Sequence, residues 1–147
     1  MIRKKNIFLY LLIAFVVFVF VQSLPFKFGI IDSPEMGIIF GTIAKWMESV
    51  GLGFISPTFA SHGGIAVGAT ELIAAILLII PATRRLGALL GFVVISGAIF
   101  FHLFTPLGID RVVDEATQKT DGGALFYMAC GVWVSCVLIL FLTRKKK

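Results

Sequence analysis

What most constrains this chain is a set of long stretches without a charged side chain. They run from Asn6 to Phe26, from Leu86 to Ile109 and from Gly122 to Thr143. A further stretch, Ser49 to Thr83, is broken only by Glu71. A helix that crosses a bilayer needs about 20 mostly apolar residues. The stretches therefore predict spans near residues 7–24, 64–81, 86–104 and 124–142. At the α-helical rise each is about 27–29 Å long, just enough to cross. The alternation that marks a transmembrane barrel strand is absent. Composition agrees, since 59% of the 147 residues are hydrophobic and 14% are charged. Soluble domains carry about 25% charged residues, and a globule of this size leaves roughly 30% of its unfolded surface exposed. A water-soluble enzyme, a disordered chain and a disulfide scaffold are excluded. The expected fold is all-α: one domain, residues 1–147, forming an integral membrane four-helix bundle with an additional outer amphipathic helix.

Lysine and arginine orient the spans. Arg3, Lys4, Lys5, Arg84, Arg85, Arg144, Lys145, Lys146 and Lys147 fall on one side, nine of thirteen cations. Lys27, Lys45, Arg111 and Lys119 fall on the other, beside seven acids: Asp32, Glu35, Glu48, Asp110, Asp114, Glu115 and Asp121. The positive-inside rule places both termini in the cytoplasm and the two larger loops outside an inner or plasma membrane. The net charge of +5 then serves topology and anionic lipid, and nucleic acid is not an expected partner. The bilayer is; a protein partner would be another membrane protein or a second copy. Arg3-Lys4-Lys5 and the apolar run after it also fit a signal peptide with a cleavage point near Val21-Gln22-Ser23. The length of the run, the lack of Ala-x-Ala and the position of Pro25 favour a retained span.

Ser33-Pro34-Glu35 is a helix start. Met36, Ile39, Phe40, Ile43, Met47 and Val50 follow at three- and four-residue spacing, and Gly51 supplies a stop. An amphipathic helix over 34–50 is expected on the outer surface, with Trp46 at headgroup level, as a cover over the bundle or as a docking lid. Residues 51–64 read as a connector. The acidic loop from Thr105 to Asp121 reads as solvated, with a short helix over 109–118.

Glu71 is the one ionised-type residue within a span, and a carboxylate facing lipid costs several kcal/mol, so it should face protein or a wet cavity. Gly64, Gly68 and Ala75 lie at helical spacing with it. Gly87, Gly91, Ala98 and His102 share a face of the next span, and the tight hairpin at 82–85 suggests that these small faces meet. Glu71 stands open to three readings: a proton-exchanging group, a hydrogen-bonded clamp between helices, or a ligand contact. His62 and His102 are weaker candidates, since no local His spacing suits a metal or haem. No metal is expected. Lys27 reads as a snorkelling anchor, or as a partner for an acid at the bundle mouth. Arg84 and Arg85 read as topology residues, and Cys130 and Cys136 as buried thiols. No phosphate-cradling loop, dinucleotide fingerprint or nucleophile elbow is present.

Three segments resemble the DoxX-like family of small integral membrane proteins. They are Phe26-Lys27-Phe28, then Gly68-Ala69-Thr70-Glu71 with the apolar run to Pro81, and Thr83-Arg84-Arg85-Leu86-Gly87-Ala88. The resemblance is strongest over residues 64–104 and loosely covers the chain. It implies a four-helix membrane bundle and makes Glu71, Arg84 and Lys27 recurrent polar positions. The family takes its name from a subunit of a membrane thiosulfate–quinone oxidoreductase. The helix over 34–50 and the acidic loop are additions to its smallest members. The expected role is therefore an accessory or scaffolding subunit, of a quinone-linked redox assembly by that resemblance, without a catalytic centre of its own. The alternatives are a small proton-coupled transporter or permease using Glu71, and a quinone-reactive enzyme using Glu71 and His102. No cofactor is expected; quinone or haem are the candidates if one binds.

Overall fold

The computed structural model describes residues 4–144. Arg3 and Lys145–Lys147, counted above on the cationic side, lie outside the described residues. The chain forms α1 (Lys4–Lys27), α2 (Pro34–Ser49), α3 (Ser56–Ile79), α4 (Arg84–Phe104), a small hairpin of β1 (Val112–Asp114) and β2 (Lys119–Thr120), and α5 (Ala124–Leu142). Helices α1, α3, α4 and α5 are the four long and apolar enough to cross a membrane. The protein is all-α apart from the hairpin, as the charge-free stretches predict.

Neighbours around the bundle are α1–α3, α3–α4, α4–α5 and α5–α1. Each pair is antiparallel, because the chain alternates direction at every turn; α1 and α4 face each other across one diagonal, α3 and α5 across the other. Two apolar cores stack along the axis. One joins Val16 and Phe20 of α1, Ala74 and Leu78 of α3, Ala88 of α4, and Val132, Cys136 and Ile139 of α5. The other joins Ile39, Phe40, Ile43 and Met47 of α2 to Leu107, with Phe59, Phe101 and Leu125 packed on it. Helix α2 therefore roofs one end of the bundle, and the α3–α4 turn, the hairpin end, lies at the other. The expected amphipathic helix forms, and its apolar face is spent on the bundle. Trp46 packs edge-on against Phe100 and Phe101 at ring separations of 6.1 and 6.3 Å.

Two helix ends are written in glycine. Gly51 has φ +88°, and the Leu52 N–H reaches Met47 O at 2.8 Å while the Gly51 N–H reaches Glu48 O at 3.2 Å. That paired 6→1 and 5→2 pattern closes α2 where Gly51 was expected to stop it. Gly29, at φ +69°, ends α1 in the same way: Ile30 N–H donates to Pro25 O at 2.9 Å and Gly29 N–H to Phe26 O at 3.2 Å. Helix α1 thus continues one turn past the expected 24, through Pro25 to Lys27.

Three expectations fail. Residues 51–64 are not all connector, because α3 begins at Ser56 with Pro57 in its first turn. The added turns pack on α2. Ser56 Oγ donates to Glu48 Oε1 at 2.6 Å, and Phe59 meets Phe40 at a ring separation of 5.5 Å. The short helix expected over 109–118 is a β-hairpin instead. Asp114 captures the turn by accepting from Ala116 N–H at 2.9 Å and from the Thr117 hydroxyl at 2.6 Å, which draws the backbone out of the helix. Nor is that loop wholly solvated. Arg111 is buried, donating to Glu35 Oε2 at 2.7 Å and facing Asp121 Oδ2 at 3.1 Å, so it pins the roof to the start of α5.

Candidate functional site

Glu71 is buried, and its side chain is 6% exposed. It faces α1, where Lys27 holds it in an ion pair. Ser23, one helical turn before Lys27, completes the group: its Oγ accepts from Lys27 Nζ at 3.0 Å, donates to Phe20 O at 2.9 Å and lies 3.4 Å from Glu71 Oε2. Lys27 therefore turns inward, along its own helix, rather than out to water as a snorkelling anchor. The expected partner for an acid at the bundle mouth is what forms.

The small residues explain how α1 gets that close. A Cβ on Gly68 would stand 3.2 Å from Lys27 Cβ and 3.0 Å from the Phe28 ring. On Gly64 it would stand 3.4 Å from Lys27 O and 3.3 Å from Phe40. The small face of α3 thus receives the end of α1 and the roof, and not α4 as the two matching patterns suggested. Gly91 also turns away from α3, toward Phe20 and Cys136 Sγ, each 3.2 Å from a Cβ placed there. Gly87 alone makes the expected close approach: its Cβ would lie 2.6 Å from Leu78 N and 2.9 Å from Ala74 O. Ala75 is buried.

Between the two cores the bundle is hollow. A cavity of about 350 Å³ reaches from Phe20 up to Ile39, Phe40 and Leu107 of the roof core. Its walls are apolar, with Met128 and Ala129 of α5 and Val94 and Ala98 of α4 among them. The polar side chains on the walls are Gln22, Ser23, Lys27, Glu71 and His102. That is the make-up of a small-molecule site, an apolar chamber with a few convergent polar groups.

His102 is buried, and its Nδ1 lies 2.6 Å from Gly108 O. A carbonyl only accepts, so Nδ1 carries a proton there, and among the described residues no hydrogen bond reaches Nε2. His102 and Glu71 line the same chamber from different helices, and among the described residues no hydrogen bond joins them. His62 is not part of the site; it is exposed and paired with Ser61 Oγ at 2.7 Å. Among the described residues no three His, Cys, Asp or Glu side chains come together as metal ligands would.

Two polar roles escape the sequence. Arg84, read as a topology residue, is buried: its Nε donates to Leu78 O at 3.0 Å and Nη2 to Ile79 O at 3.4 Å, capping the end of α3. Its guanidinium also stands 5.3 Å over the Tyr10 ring. Arg85 remains exposed. Arg111 is the other, and no spacing in the chain links it to Glu35, 76 residues away. Cys130 and Cys136 are free, half-buried and buried respectively.

No family model matches the chain, and no curated protein or solved structure matches it either.

Proposed function

We propose that this chain is a non-catalytic subunit of the DoxX-like kind that keeps a small, largely apolar molecule within its bundle for a larger membrane assembly, quinone-linked by the resemblance. One observation carries the reading: an apolar chamber of about 350 Å³, roofed by α2, with a neutralised ion pair in its wall. Pockets of about 300–1,000 Å³ with few polar groups are where proteins hold small ligands. Glu71 is engaged by Lys27 and Ser23, so it supports the bundle and lends polarity to the chamber rather than standing free for chemistry. The orientation proposed is the inner membrane with both ends cytoplasmic. It is supported by Lys4, Lys5, Arg84, Arg85 and Arg144 beyond one end of the spans, and by the acidic loops at the other.

Gentle purification from native membrane tests this reading. A stoichiometric protein partner and a small apolar molecule in the organic extract are the expected result. A chain that purifies alone and yields no such molecule overturns it, and a stoichiometric chromophore moves the reading to a redox enzyme.

A second reading, a proton-coupled permease, is favoured by the placement of Glu71 and Lys27 on different spans facing one chamber. A proton taken by Glu71 would release Lys27 and loosen α1 from α3. If Glu71→Gln abolishes flux while abundance and partner binding persist, the role is transport.

A further inference from the structure

The chamber is not closed on every side. Two lining residues are exposed: Gln22 of α1, and Val93, which faces outward from α4 and is 59% exposed. Gly97, one turn along, lines it too, and no atom lies within 4 Å of the place its Cβ would take. The hollow therefore reaches the lipid-facing side of α4. The gap has firm limits. Gly87 seats against the α3 backbone toward the hairpin end. Toward the roof, Phe59 of α3 and Phe101 of α4 meet at a ring separation of 5.9 Å. Between those contacts Val67 and Glu71 of α3 and Val94 and Gly97 of α4 line the chamber.

From this we infer that the chamber is loaded sideways from the bilayer, through the α3–α4 gap at Gly97, by a neutral amphiphile whose hydroxyl head hydrogen-bonds to His102 Nε2. The inference rests on the chamber reading above and names its ligand and its door. Charge decides the class. Lys27 and Glu71 neutralise each other in the wall, so a charged guest would enter a low-dielectric space with no countercharge to meet it. Hydrogen bonding decides the head. Nδ1 of His102 is committed to Gly108, and among the described residues no hydrogen bond reaches Nε2, so a hydroxyl, which can donate or accept, suits it. Size decides the body. At about 30 Å³ per water, 350 Å³ holds roughly a dozen water volumes, the scale of a medium alkyl chain or a ring with a short tail.

The test uses the full chain in lipid nanodiscs and a 1-decanol carrying a diazirine at the far end of its chain. Light-driven labelling is read by mass spectrometry, at saturation and against time after mixing. Labels are expected on chamber residues such as Val19 and Met128, with the alcohol saturating about tenfold more tightly than the matching hydrocarbon, and with decanoate failing to compete. Ala98→Phe fills the chamber and should abolish the labelling. Gly97→Leu should slow the approach to saturation by about tenfold or more. It improves helix propensity at an unobstructed position, so folding is not at risk. Labelling that ignores Ala98→Phe overturns the chamber itself. Labelling that Ala98→Phe abolishes but Gly97→Leu does not slow overturns the door alone. Equal binding of alcohol and hydrocarbon, or displacement by decanoate, overturns the hydroxyl head.

Discussion

The two ends of the α3–α4 pair are built from similar residues and do opposite things. At the hairpin end Gly87 lets α4 press on the α3 backbone, and Arg84 seals the last carbonyls of α3. There the helices are locked. Short of the Phe59–Phe101 contact at the roof, Gly97 meets nothing within 4 Å and lines the chamber. A glycine in a membrane helix is thus a seam in one place and a window in another. The neighbour decides which, because a small residue only permits close approach and does not compel it. Beside the apolar roof core, the hollow end is tied by imported polar groups: Lys27 and Ser23 from α1, and Glu35 of the roof through Arg111.

The largest effect should come from the ion pair that ties the hollow end. Glu71→Leu leaves the Lys27 ammonium buried without its partner, and breaking such a pair costs about 3–5 kcal/mol. Thermal unfolding in detergent should show a large drop for Glu71→Leu and a smaller one for Glu71→Gln. Most of the loss should return in Lys27→Met/Glu71→Leu, where no charge is stranded. A Leu variant as stable as the parent would remove the ion pair from the account of the hollow end.

Next comes the contrast between the glycines. Gly87→Leu must push α4 off the α3 backbone, an overpacking cost of about 1–3 kcal/mol or more. Gly97→Ala meets no obstacle and should stabilise by up to about 1 kcal/mol through helix propensity. Equal melting shifts for the two would erase the difference between seam and window. Arg84→Met then loses two bonds to carbonyls and the approach to Tyr10. A loss of about 1–2 kcal/mol is expected, with faster hydrogen exchange confined to the end of α3.

The smallest effects lie in the roof and its loop. Glu35→Gln weakens a pair whose acid is 43% exposed, so about 0–1 kcal/mol is at stake. It should loosen α2 amides and leave the hairpin end unchanged. The Thr117 hydroxyl, with the Ala116 amide, holds the Asp114 carboxyl below the ordinary carboxylate range. A depressed acid stabilises the fold above its unfolded pKa and loses that contribution as pH falls through the folded one. Acidification below the ordinary range should therefore reduce protection of the Ala116 amide while the α3–α4 contacts persist.

Much of this was readable in the chain. Charge-free runs fall on the four spans, Ser33-Pro34 starts the roof, and Gly51 ends it. Glu71 was readable as an inward acid, because lipid leaves it no other direction. The matching of small residues misled. Gly64, Gly68, Gly87 and Gly91 make the same pattern on two neighbouring helices, yet only Gly87 meets the neighbour expected. Periodicity gives a residue's face, and the rotation of the helix about its axis is set by the whole bundle. Arg84 was misread for a related reason: a cation beside a hairpin looks solvated until the preceding helix presents its unpaired carbonyls.

Local forces, acting over one or two turns, settled what each segment of the sequence would be: apolar length made the spans, Pro34 opened the roof helix, and glycines at positive φ closed helices. Which span lies beside which, and so that Lys27 meets Glu71, that Arg111 reaches Glu35 and that a chamber remains between two cores, was decided only by the tertiary structure. Those pairings join residues 44 and 76 positions apart. No local preference extends that far, so the packing of the helices had to choose them.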